Sequence, residues 1–229
     1  MMLAEEEIAR RLNAVRERIA HAARRSGRSA DAIRLVLASK TQPPDAIRAA
    51  YGAGARDFGE NYVQEAVSKR SELQLEDVTW HLIGHLQTNK VAVAVKNFDM
   101  IQTLDSARLA DGVARAHPSP PMRMLIEVNL GAEASKSGVA PAQVESLIEA
   151  ARAKVDIIGL MTIPPPAKTA SDARKYFALL RALRDRLAAT CGLALSELSM
   201  GMTEDFEVAI EEGATMVRVG RAVFGERQI

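Results

Sequence analysis

The stretch Leu35-Val36-Leu37-Ala38-Ser39-Lys40-Thr41, followed by the turn-forming pair Pro43 and Pro44, decides how the rest of the chain is read. A short run of branched apolar residues bounded by prolines is the pattern of a buried strand, and this one ends on a lysine. Desolvation at the edge of an apolar core disfavours the ammonium form, which is how a lysine becomes a nucleophile toward an aldehyde. The position also suits an ordinary lysine whose stem packs on the strand while its ammonium reaches water. For this strand alone the ordinary reading prevails.

The unit of strand, turn and helix recurs on both sides. Upstream, Ile8, Leu12, Val15 and Ile19 repeat at helical spacing from Ala4 to Arg25, an amphipathic opening helix that stops near Gly27. Downstream, strands are expected at Arg56–Glu60, Val78–Ile83, Phe98–Thr103, Met124–Asn129, Val155–Met161, Glu197–Met200 and Thr215–Val219. Helices fall between them, over Pro43–Tyr51, Asn61–Leu73, Leu86–Val95, Ser106–Ala116, Pro141–Ala153, Ser171–Ala189 and Thr203–Gly213. The second of these helices is expected to turn Val63, Ala66 and Val67 inward and to expose Glu65, Lys69 and Arg70. The long helix is expected to bury Tyr176, Leu179, Leu180, Leu183 and Leu187. Thr203 reads as an N-cap, with Glu204 and Asp205 opposing the helix dipole. Eight strands alternating with helices at even spacing predict an α/β fold, a single (β/α)8 TIM-type barrel with an extra N-terminal helix, one domain over residues 1–229. A doubly wound open sheet is the alternative.

Bulk properties narrow the function. With 30 basic and 29 acidic residues the formal charge is +1, so no global field draws nucleic acid or an anionic membrane, and any anion site is local. The single cysteine, Cys191, excludes an intrachain disulfide and fits a reducing compartment. Residues Met1 to Glu7 lack the basic region and apolar run of a signal peptide, and no stretch approaches the roughly 20 apolar residues of a membrane span. A cytoplasmic protein is expected. No long apolar extension remains once the barrel is built, which favours a monomer.

In parallel α/β folds the site lies at the C-terminal strand ends. Those ends deliver Lys40; Glu60 and Asn61; His81, Gly84 and His85; Asn129 and Lys136; Met161 and Thr162; Ser199, Met200 and Gly201; and Arg218, Gly220 and Arg221. The run Ser199-Met200-Gly201-Met202-Thr203 is a strand, a glycine turn and a helix start, which aims backbone N–H groups at an anion. Val219-Gly220-Arg221-Ala222 adds a second set beside it. Barrels hold phosphates between these two loops, so the pair reads as a phosphate cradle. His81 and His85 flank a glycine turn, share no helical face and do not make a metal pair. Glu60 is either the buried partner of a cation or a helix-start carboxylate. Lys90, Lys136 and Lys168 are rival nucleophiles, but loop solvent keeps them ordinary, and Lys40 is the best placed.

A lysine after strand one, a phosphate cradle after strands seven and eight and Arg218 on strand eight suggest pyridoxal 5′-phosphate. The segments Ala38-Ser39-Lys40-Thr41, Phe58-Gly59-Glu60-Asn61-Tyr62-Val63-Gln64-Glu65, Trp80-His81-Leu82-Ile83-Gly84-His85-Leu86-Gln87-Thr88-Asn89-Lys90, Ser135-Lys136-Ser137-Gly138, Gly159-Leu160-Met161, Leu198-Ser199-Met200-Gly201-Met202 and Val217-Arg218-Val219-Gly220 resemble those of the pyridoxal phosphate homeostasis proteins. That family in turn resembles the barrel domain of bacterial alanine racemase. The resemblance implies that Lys40 holds the cofactor as an internal aldimine. It also implies that Ser199, Gly201 and Gly220 bind the phosphate, the glycines through their backbones, with Met200 between them. Arg218 would face the pyridine nitrogen, and Asn61, His81 and Met161 would line the pocket. Position 221 departs from the family, with arginine where many members carry a small hydroxyl residue, so only the backbone N–H of Arg221 is carried over as a phosphate contact.

The chemistry favours holding over turnover. A permanently charged arginine beside the ring nitrogen does not readily protonate it, so the ring is a weak electron sink. Racemisation also needs an acid or base on the second face of the substrate, which the resembled racemase takes from an additional C-terminal domain, and this chain ends soon after strand eight. The expected function is a pyridoxal phosphate carrier or buffer in vitamin B6 homeostasis with little catalysis, serving apo-enzymes that accept the cofactor. The alternatives are a small racemase using Tyr62, His81 or Lys136 as the second group, and a cofactor-free Schiff-base aldolase.

Overall fold

The computed structural model describes residues 4–116, 120–131, 137–166 and 168–226. The strands are β1 (Arg34–Ala38), β2 (Asp57–Glu60), β3 (Thr79–Leu82), β4 (Met100–Leu104), β5 (Arg123–Glu127), β6 (Asp156–Met161), β7 (Glu197–Ser199) and β8 (Met216–Val219). Each pairs in parallel with the next, and β8 pairs back on β1 from Arg34↔Met216 to Leu37↔Val219, closing the barrel. The helices are α1 (Glu5–Arg25), α2 (Pro44–Gly52), α3 (Val63–Leu73), α4 (Val91–Asn97), α5 (Ala107–Ala116), α6 (Val144–Ala151), α7 (Ala170–Cys191), α8 (Phe206–Glu211) and α9 (Arg221–Phe224). The (β/α)8 barrel with an added N-terminal helix, expected from the alternation, is the observed fold.

A strand in a barrel sends successive side chains to opposite faces, and that period of two builds two cores. Ile101, Ile126, Val217 and Leu198 point outward into the apolar layer beneath the helices. Met100, Leu125, Met161 and Met216 meet inside the barrel as a floor. Two residues further along the same strands, Gln102, Glu127 and Arg218 occupy the next interior level, all buried. The inside is therefore apolar at the bottom and polar toward the C-terminal mouth.

Helix α1 buries Ile8, Leu12, Val15, Ile19, Ala22 and Ala23, a continuous stripe at three- and four-residue steps. Glutamates 5 to 7 occupy its first turn and Arg24 and Arg25 its last, both favourable to the helix dipole. It lies across α2, α8 and α9. Arg28 beyond its end donates to the carbonyls of Ile210 (3.1 Å) and Ala214 (2.8 Å).

Several local expectations need correction. Lys69, expected on the solvent face of α3, is 5% exposed. Along α7, Phe177 is buried while Leu179 is 54% exposed and Tyr176 is half-buried. Helix α8 begins at Phe206 and not at Thr203, because the Asp205 carboxylate accepts from the Met202 N–H at 2.7 Å and closes a turn ahead of the helix. The 3-10 turns Thr88–Lys90 and Pro141–Gln143 precede α4 and α6, where continuous helices were expected. The short α9 lies beyond the helices that the sequence pattern predicts.

Candidate functional site

Strand β1 ends at Ala38, so Lys40 sits on the turn that follows. The Gln42 N–H donates to the Ser39 carbonyl at 3.0 Å across that turn, and the Ser39 N–H donates to Gly59 O at 3.0 Å. Thr41 carries φ +63°, a left-handed conformation that a β-branched residue seldom adopts. Its N–H donates to Glu65 Oε1 at 2.5 Å. The buried Lys69 ammonium ties the rest together, reaching Ser39 O (2.7 Å), Glu60 Oε1 (2.8 Å) and Glu65 Oε1 (2.7 Å). The Ser39 hydroxyl donates to Glu60 as well, at 2.7 Å. Glu60 is thus the buried partner of a cation, one of the two roles open to it in the sequence. Burial pushes its carboxyl up, and the Lys69 ammonium opposes that push.

Lys40 lines a cavity of about 220 Å3 at the mouth of the barrel. Its lining also includes Asn61, Ile83 and Ile163, the loop Met202 to Asp205, and Gly220 and Arg221. Arg218 forms part of the floor. Gly201 has φ +91°, and a Cβ there would lie 2.5 Å from Ala209 Cβ, so only glycine lets the loop after β7 fold this closely onto α8. A Cβ on Gly220 would lie 3.1 Å from Ala38 O, so its absence lets the end of β8 approach the end of β1, where Lys40 emerges.

Below the cavity a hydrogen-bonded chain crosses the barrel. Arg218 donates through Nη1 to Ser199 Oγ (2.7 Å) and through Nη2 to Thr162 O (2.9 Å). The Ser199 hydroxyl donates to Gln102 Oε1 at 2.6 Å, Gln102 Nε2 lies 3.0 Å from His81 Nδ1, and His81 Nε2 lies 2.9 Å from Asp57 Oδ1. Burial pulls the Arg218 guanidinium down to about 10, against the opposing pull of Glu127 and Asp205, so it remains charged at neutral pH. Burial raises the Asp205 carboxyl, with the Met202 N–H opposing.

The structure therefore gathers Lys40, Asn61, Arg218, Gly220 and Arg221 around one cavity. Ser199 and His81 lie beneath it in the buried chain, Met161 is in the apolar floor and Met200 faces the outer core. Gly201 shapes the loop behind the cavity wall. Lys136 lies outside the described residues. Gln102, Glu127 and Lys69 were missed as site-building residues. Each is a polar residue at a core position of its element, and that was the available signal. The chemistry of the cavity fits a compact aldehyde carrying an anion, with an amine on one wall, a guanidinium in the floor and an arginine with two glycine loops at the strand ends beside it. Among the described residues no cluster of three or more metal-ligating side chains occurs, and no helix is long and apolar enough to cross a membrane.

Comparison with known proteins gives a consistent picture. The family described as alanine racemase, N-terminal domain, matches residues 11–228. The chain is 47% identical to the pyridoxal phosphate homeostasis protein of Aquifex aeolicus strain VF5, over 95% of this chain and 97% of that one. It is 40% identical to the protein of the same name from Escherichia coli K12, over 96% and 97% of the two chains. Among solved structures it is similar to PipY of Synechococcus elongatus PCC7942 with PLP bound, at 38% identity and a TM-score of 0.85, over 95% of this chain and 100% of that one.

Proposed function

The chain belongs to the family of pyridoxal phosphate homeostasis proteins, and we propose that it binds pyridoxal 5′-phosphate in the mouth cavity and carries or buffers it for vitamin B6 homeostasis. The observation that supports this most is the placement of Lys40, Arg218, Gly220 and Arg221 around a single cavity. When bound, the cofactor supplies an electrophilic aldehyde carbon and an anionic phosphate. Lys40 is the covalent anchor. Gly201, Gly220 and Arg221 lie on the two loops that hold the phosphate, and Asn61 orients the ring. Ser199 acts one step back by fixing Arg218, which carries a positive charge toward the ring without readily giving up a proton. His81 and Met161 support that floor from below.

The same placement disfavours turnover. His81 is engaged by Asp57 and Gln102 beneath the cavity, and Tyr62 is 60% exposed and absent from the cavity lining. We place the function in one barrel domain acting as a cytoplasmic monomer, with apo-enzymes as receivers. The test is the visible absorbance of the purified protein. Borohydride treatment is expected to bleach it and leave the reduced adduct on the peptide containing Lys40, and Lys40→Ala is expected to abolish both. A colourless protein that takes up no added cofactor overturns the reading. Rapid exchange of α-hydrogens of single amino-acid enantiomers in deuterated water, lost in Lys40→Ala, overturns the carrier role in favour of an enzyme.

A further inference from the structure

A second cavity, of about 230 Å3, adjoins the first and shares Asn61, Ile83 and Ile163 with it. Its far wall is Glu127, Asn129 and Ser137. We propose that this cavity binds a primary ammonium group, paired with the Glu127 carboxylate and the Asn61 side-chain carbonyl. This site goes beyond the carrier role, and it meets the Lys40 cavity at the shared residue Asn61.

Two acceptor atoms carry the inference. Glu127 is 7% exposed, and its Oε2 is buried with no hydrogen-bond partner among the described residues. Asn61 Oδ1, on the wall shared by the two cavities, is in the same condition. A buried polar atom without a partner costs free energy, and a buried carboxylate costs more, so a ligand that supplies donors is favoured there. Two acceptors, one of them anionic, are complemented by a compact cation with several N–H donors. A primary ammonium has three.

Two cations that face Glu127, Arg218 and His85, are committed elsewhere. Arg218 spends Nη1 on Ser199 and Nη2 on Thr162. His85, also on the cavity wall, pairs with Asp105 at 3.1 Å. The carboxylate is also held in place by packing. Gly138, at φ +98°, lies so close that a Cβ would come within 2.9 Å of Glu127 O and 3.0 Å of Glu127 Cγ. Burial raises the Glu127 carboxyl to about 7, with Arg218 the main opposing charge. An ammonium seated against Oε2 lowers it again, so the ligand binds to the ionised form.

The test is a titration of isotope-labelled protein with n-propylammonium chloride, followed by the amide resonances of Gly84 and Gly138. Saturable shifts are expected, with sodium chloride, 1-propanol and tetramethylammonium chloride producing none. Glu127→Gln is expected to weaken binding by about tenfold or more while keeping a folded spectrum. Equal binding by the Gln variant, equal response to tetramethylammonium, or no saturable response overturns the proposal. Should the Gln variant fail to fold, the native protein's discrimination between primary and quaternary ammonium decides alone, since only the former has N–H groups to donate.

Discussion

Lys69 donates from its buried ammonium to the main-chain carbonyl of Ser39 at 2.7 Å, one residue before Lys40. The same nitrogen holds Glu65, whose carboxylate accepts from the N–H of Thr41, one residue after Lys40. A single cation on α3 therefore fixes the peptide groups on both sides of the candidate anchor.

Replacing that cation tests its weight. Lys69→Met leaves Glu60, which is fully buried, and Glu65 without their partner. Removing one member of a buried ion pair costs about 3–5 kcal/mol, and Lys69→Met is expected to lose stability in that range by urea denaturation. A loss below about 1 kcal/mol, the scale of exposed pairs, refutes the assigned role.

Ser199→Ala separates two roles for this hydroxyl. It removes the bridge between Gln102 and Arg218 and leaves buried polar groups short of partners, at a cost of about 1–3 kcal/mol. If Ser199 acts through Arg218, stability and cofactor affinity fall together in equilibrium unfolding and absorbance titration, and Gln102→Leu reproduces both losses. If it contacts the phosphate directly, affinity falls in Ser199→Ala alone.

The glycine at the loop after β7 makes a stereochemical prediction. Gly201→Ala combines φ +91° with a Cβ 2.5 Å from Ala209 Cβ and 2.9 Å from Phe206 Cα. A loss of about 2 kcal/mol or more is expected in thermal or urea unfolding. Gly59→Ala is the milder control, since its added Cβ meets the mobile end of Ile83, Cδ1, at 2.8 Å.

Glu127 sets a pH dependence of stability. Its folded carboxyl titrates at about 7, above the ordinary 4.5. Between those values the native state keeps a proton that the unfolded chain has released, so stability falls as pH rises through this window and the loss is complete above it. At about 1.4 kcal/mol per pH unit the loss is on the order of 3 kcal/mol. Glu127→Gln is expected to remove it, gaining on the native protein between pH 5 and pH 8 in chemical denaturation. Asp105, His85 and Arg218 also face this carboxyl but are common to both proteins, so the difference isolates Glu127.

What could be read in the sequence depended on whether polarity agreed with position. The barrel was legible because strand runs such as Met124 to Ile126 and helix stripes such as Ile8, Leu12, Val15 and Ile19 are apolar where the geometry buries them. Lys69 was misread although it stands three residues after Ala66 and four before Leu73, on the buried face of α3. Its charge outweighed its spacing, and only the fold brings Glu60 from β2 against it. On α7 the interval from Ala173 to Phe177 to Leu180 marks the buried face, and Leu179, though apolar, falls outside it. Lys40, Arg218 and Gly220 could be placed at one end because parallel strands deliver their C-terminal residues together. Ser199 and His81 could not be assigned to a level, since one step along a strand decides whether a side chain meets ligand or core.

Thr41 shows what the chain gives up to hold Lys40 in place. A threonine at φ +63° stands against its own backbone preference, at a cost of roughly 1–3 kcal/mol, and the Glu65 carboxylate on its N–H is the restraint that keeps it there. The turn is therefore held by its side-chain contacts against its own backbone preference. Relaxing it with Thr41→Gly would make the protein sturdier and its lysine less well aimed, so durability and address are set in opposition at one residue.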